Sequence, residues 1–173
     1  MATTNTLLTL VPQGAHAEAA GKPVGPPINS LTRVGLAGGI GFPAKVASGA
    51  VWLARLPATA GLSTGATFAL MVAEDVRNAD PGKVARFAVT VKKLATGTDV
   101  IDADGGGTET AADLILPSTS GVVLTGSIAI VVANMDSAAA GDWVLIRVRR
   151  LGTHANDTHK GTVVLLGVDV RDT

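Results

Sequence analysis

A chain of 173 residues is long enough for one domain with a proper core and too short for two full ones, and its 14 Lys plus Arg balance 14 Asp plus Glu, leaving no net field to hold nucleic acid or an anionic membrane. The absence of cysteine excludes disulfide frameworks, thiolate nucleophiles and Cys-based zinc sites. Only Trp52, Trp143, Phe42, Phe68 and Phe87 are aromatic and Tyr is absent, a poor supply for sugar platforms or base-stacking surfaces, so the expected partners are proteins.

Met1 to Leu10 lacks a basic start, and its apolar run is broken by Thr and then Pro12, so no secretory signal is expected. No apolar run reaches the ~18 residues that a membrane helix needs, which predicts a soluble chain made in the cytoplasm. Residues 1–43 are punctuated by Pro12, Pro23, Pro26, Pro27 and Pro43 with many glycines between them, a composition that opposes regular structure. Two apolar islands, Leu7 to Val11 and Leu31 to Ile40, interrupt it. The segment reads as an extended, largely irregular N-terminal arm that Leu7, Leu8, Leu10, Leu31 and Ile40 anchor on a partner.

From Ala44 onward, strand-like runs recur near 44–56, 67–73, 85–94, 113–116, 122–133, 142–150 and 162–171. Turn chemistry separates them, as in Asn78-Ala79-Asp80-Pro81-Gly82 and Pro117-Ser118-Thr119-Ser120-Gly121. The helix candidate, Asp136 to Ala140, is too short to stand alone. This pattern predicts an all-β domain over 44–173, a jelly-roll-like antiparallel β-sandwich. In the last two runs Val144, Ile146 and Val148, and then Val164, Leu166, Val168 and Val170, alternate with their neighbours. Unbroken alternation puts Trp143, Leu145, Val163 and Leu165 on the opposite face, which would then need a cover, most simply another subunit.

The series Val51-Trp52-Leu53-Ala54-Arg55, Lys83 to Val89, Ala139-Ala140-Gly141-Asp142-Trp143-Val144-Leu145-Ile146-Arg147-Val148-Arg149-Arg150, Asn156-Asp157-Thr158 and Leu165-Leu166-Gly167-Val168-Asp169-Val170-Arg171 resembles a β-sandwich module of tailed-phage structural proteins. The likeness covers about Val51 to Thr173, and departs from the pattern in ending Arg171-Asp172-Thr173 rather than on an aromatic-containing segment. It implies a jelly roll that trimerises, as in head decoration proteins, head fibres and tail appendages. One module behind an N-terminal arm, with no fibrous shaft, fits a capsid decoration or cement protein of the virion. Its partners would be the major capsid protein and copies of itself in a homotrimer, with no enzyme activity, cofactor, nucleic acid or membrane involved. The alternative is a tail or neck appendage or receptor-binding protein that meets a host-surface glycan.

Other residue groups invite chemistry and are weaker on inspection. The acids between Asp99 and Glu109 suggest calcium, yet the alternation of an EF-hand loop is not met and no helices flank it. As a glycosidase pair, Asp102, Asp104 and Glu109 are the plausible set. His154, Asp157 and His159 share one loop, but zinc needs three or four converging ligands and the remaining histidine, His16, lies in the arm; Asp157 is expected to cap or turn the backbone. Gly35 to Gly41 resembles a phosphate loop in glycine content alone, since Phe42-Pro43 cannot open the helix such a loop requires, and a joint between arm and sandwich is expected there. No serine sits in a Gly-x-Ser-x-Gly elbow. Arg147, Arg149, Arg150 and Lys160, with Lys92 and Lys93, read as a solvated strand face or as ion-pair partners of acids such as Asp169.

Overall fold

The computed structural model describes residues 5–12, 16–19, 22–24, 31–34, 37–95, 97–98 and 107–172. Among the described residues twelve strands run in chain order: β1 (Thr6–Leu10), β2 (His16–Ala19), β3 (Lys22–Val24), β4 (Leu31–Val34), β5 (Ala37–Phe42), β6 (Ala47–Arg55), β7 (Gly65–Glu74), β8 (Val84–Leu94), β9 (Thr110–Ile115), β10 (Val123–Val131), β11 (Trp143–Leu151) and β12 (Val163–Asp172). Every pairing is antiparallel, and the strands form two sheets that pack face to face. The first has the order β10-β7-β12-β5-β4, with β1 beside the C-terminal half of β12; the second has the order β3-β2-β6-β11-β8-β9.

Alternation builds the core between the sheets. The second sheet sends in Ala50 and Trp52 from β6, Val144, Ile146 and Val148 from β11, and Phe87, Val89 and Val91 from β8, all buried. Phe68, Leu70 and Val72 of β7 answer from the first sheet. Phe42 at the end of β5 meets Phe87 edge to face, with ring centroids 5.6 Å apart, so this aromatic contact bridges the two sheets. Where β10 crosses β9, Gly126 leaves room for Leu114: a Cβ at Gly126 would run into that side chain.

The sandwich takes in part of the segment expected to be an arm. Strands β1 and β5 both pair with β12, and Leu10 and Ile40 are buried in the core of their own chain. Leu7 and Leu8 are half-buried against that core, and Leu31 lies in β4 with its backbone opposite Ile40. The indole Nε1 of Trp52 donates to the carbonyl of Val11 at 2.9 Å, tying the chain just after β1 to the second sheet. Residues 37–42 are therefore a strand where a joint was expected, and Gly39 allows the close approach, because a Cβ there would press on the Leu165 carbonyl at 2.7 Å. The short helix also differs: a 3-10 turn spans Val132–Met135, and Asp136 follows in the left-handed region at φ 57°, which ends it.

Candidate functional site

The outward row of the second sheet is where the sequence placed an assembly face. Because Trp52 and Val144 point inward, their neighbours Leu53, Trp143 and Leu145 point outward. The register sets Leu145 directly opposite Leu53 and Trp143 opposite Arg55 and Leu94. Leu53 is 53% exposed and Trp143 48%, while Leu145 and Leu94 are half-buried. Charged groups frame this apolar strip. Arg55 Nε donates to the Gly141 carbonyl at 3.0 Å, and Lys93 Nζ lies 2.9 Å from Asp142 Oδ2. The Lys93 ammonium and the Ala139 amide hydrogen-bond to Asp142 and hold its carboxyl below the usual carboxylate value, against an opposing push from burial. Further along the same face Arg149 pairs with Glu109 at 3.1 Å, and Arg86 pairs with Asp113. Asp113 also accepts from Asn156 Nδ2 at 2.9 Å, and Arg86, then Asn156, lower its pKa.

Val163 and Leu165 do not belong to this face, and here the structure corrects the alternation argument. Both are fully buried between the sheets. The pairing of β12 with β7 shifts between Leu165 and Gly167, a bulge that inserts one residue and reverses the phase. Val163 and Leu165 point inward before it, Val168 and Val170 point inward after it, and Leu166 is left half-buried. A glycine inside an alternating run was the available signal.

The same end of β11 holds a second correction. Arg150 is completely buried, pointing inward in phase with Val148 and away from Arg147 and Arg149. All five of its N–H donors are used: Nε and Nη2 grip Asp157 at 2.9 and 2.7 Å, Nη1 donates to the carbonyls of Phe42 and Gly161 at 3.0 and 2.7 Å, and Nη2 also reaches the His159 carbonyl. Asp157 accepts the Arg86 amide as well, at 3.0 Å. It is thus an internal counter-charge, beyond the backbone turn expected of it. Together these bonds fasten the β11–β12 loop to the ends of β5 and β8.

His154 and His159 do not converge. His154 is exposed in the loop, with its Nδ1 accepting the Asn156 amide, whereas His159 is buried with Nε2 3.0 Å from Glu74 Oε1 and Nδ1 3.2 Å from the Gly161 carbonyl. Glu74 also accepts the Asp80 amide, and Asp80 in turn accepts the Lys160 amide at 2.9 Å, so the loop is pinned a second time. Among the described residues there is no group of three or more His, Asp or Glu able to hold a metal ion. The acids Asp99, Asp102 and Asp104, like Gly35 and Leu36, lie outside the described residues.

On the outer side of the first sheet, a depression of about 220 Å³ opens between β1, β12, β7 and β10. Within it Asp169 accepts from Thr9 Oγ1 at 2.9 Å and from Arg171 Nη2 at 3.2 Å, while Arg171 Nε is buried without a partner among the described residues. Asp169 is therefore already paired within its own chain. No helix among the described residues is long and apolar enough to cross a membrane. Leu53 is the member of the exposed strip that alternation had not singled out, although its place beside an inward Trp52 carried the signal. In comparisons with known proteins, no protein-family model matches the chain and no curated protein is similar to it.

Proposed function

We propose that this chain is a non-catalytic structural protein of a tailed-phage particle, a capsid decoration or cement protein that works as a homotrimer on the outer shell. The observation that carries the reading is the apolar strip of exposed Leu53 and Trp143 and half-buried Leu145 on the outer face of an antiparallel sheet. Such a face is normally polar where it meets water, and a contiguous apolar strip rimmed by charges favours a protein cover. A copy of the same chain is the simplest cover, and three copies then present three shell contacts whose joint strength exceeds any one of them. With Leu10 and Ile40 used in the core, the shell contacts fall to surface residues rather than to those two anchors.

Sedimentation equilibrium of the purified chain tests the trimer. The expected mass is three times that of the protomer or a whole multiple of that, and Trp143→Asp and Leu53→Asp should each abolish the threefold assembly. Both positions are exposed, so circular dichroism of the variants should match the parent. A parent that stays a protomer at tens of micromolar, or a Trp143→Asp variant that stays trimeric, contradicts the proposal.

A further inference from the structure

Strand β10 is the outermost strand of the first sheet and it lacks the usual protections of an edge. Among the described residues it pairs with β7 alone, and no turn or loop backbone group bonds to Val123–Val131. Exposed edges are normally blunted by charge, proline, a bulge or short length. Here nine consecutive residues pair with β7 without a register shift, and Val122 to Val132 contains neither a charged residue nor a proline. The other outermost strands in the two sheet orders differ: β4 carries Arg33, β3 carries Lys22 and Pro23, and the short β9 carries Asp113.

The pattern along β10 is symmetric about Ser127. Its two exposed valines, Val123 at 49% and Val131 at 56%, lie four residues on either side, and the exposed Thr125 and Ala129 lie two on either side. We propose that β10 pairs antiparallel with β10 of a second copy about a twofold axis at Ser127, joining two first sheets edge to edge. That register sets Val123 against Val131 of the copy at both ends, Thr125 against Ala129, and Ser127 against itself. It covers both exposed valines and opposes no charges. A slip of one residue would set outward against inward side chains, and a slip of two would give up pairs and uncover a valine. A copy matches an uncharged edge by symmetry, as an isologous contact requires. The contact is separate from the Trp143 face and does not depend on where the protein works.

The lack of cysteine makes the test clean, because each introduced thiol reports one position. Directly opposite residues of an antiparallel pair have Cα atoms ~4.5–5.5 Å apart, within disulfide reach, whereas four residues along a strand is about 13 Å. In the full chain under mild oxidation, Ser127→Cys is expected to give a covalent dimer on a denaturing gel. Thr125→Cys and Ala129→Cys should each remain single chains alone and cross-link when mixed. Adding Ser127→Lys to both members of that mixture sets two ammonium groups on the axis and should cut the yield at least tenfold, while Trp143→Asp should leave the Ser127→Cys dimer unchanged. Cross-linking of Ser127→Cys no faster than that of a cysteine placed at the exposed Thr153 overturns the pairing. Thr125→Cys that cross-links alone as fast as the mixture overturns the register.

Discussion

Replacing Asp157 by Ala should destabilise the sandwich by about 3–5 kcal/mol, because it strands a guanidinium that no solvent reaches. Arg150 and Asp157 are exposed by 0% and 1% at the side chain, and the two bonds between them, 2.7 and 2.9 Å, are a bidentate charge-assisted pair. The three carbonyls that Arg150 also serves keep it held in place after the substitution, so relaxation into water is blocked and the full penalty of an unpaired buried charge is felt. With an unfolding entropy of ~2.1 cal/mol/K per residue, a 173-residue domain loses roughly 8–14 °C in Tm for such a penalty. Differential scanning calorimetry of the parent and the variant reads this directly. The double variant Arg150→Met/Asp157→Leu should be less destabilised than the sum of its two single variants, since neither charge is then orphaned. A loss below about 1 kcal/mol in Asp157→Ala would show instead that the pair behaves as an exposed one.

Trp52→Phe removes the bond to the Val11 carbonyl and part of the ring, and should cost about 1–2 kcal/mol, with hydrogen exchange rising first in β1. Glu74→Gln buries a new donor: Oε1 serves both His159 Nε2 at 3.0 Å and the Asp80 amide, and Oε2 is buried without a partner among the described residues, so a carboxamide that keeps its oxygen at the first position leaves its NH2 with no acceptor. A loss of about 1–3 kcal/mol by urea titration is expected, and an unchanged midpoint would contradict it. Acid should weaken the fold through Asp75, Asp113 and Asp142, whose carboxyls Arg77, Arg86 and Lys93 hold below their ordinary value. Their stabilisation is complete above the unfolded carboxylate pKa of ~3.9 and is lost as pH falls through the lower folded values. Melting curves from pH 7 down to pH 2 should therefore decline mainly below about pH 4, and less steeply in Asp142→Asn.

Period-2 patterning located β6 to β12 within a few residues, because each of these strands has one face against the core and one turned away. It also put Trp143 and Leu145 on the outer face. It failed where the period broke or where a polar side chain was buried. The bulge before Gly167 exchanged the faces of Val163 and Leu165, and no count of alternating residues survives an inserted one. Arg150 looked like its solvent-facing neighbours, since its burial depends on Asp157 and on carbonyls brought in by a loop and by β5. Strands β1 and β5 were hidden by proline and glycine around them, and what makes them strands is pairing with β12, about 160 and 120 positions away in sequence, a long-range match that local propensity does not carry.

The proposed place of this sandwich on a phage head is read from its copy number on purified particles. Quantitative mass spectrometry against the major capsid protein should find hundreds of copies per particle, in a fixed ratio to the shell subunit. A few to a few dozen copies would move the protein to the tail or neck, and none would contradict the account altogether.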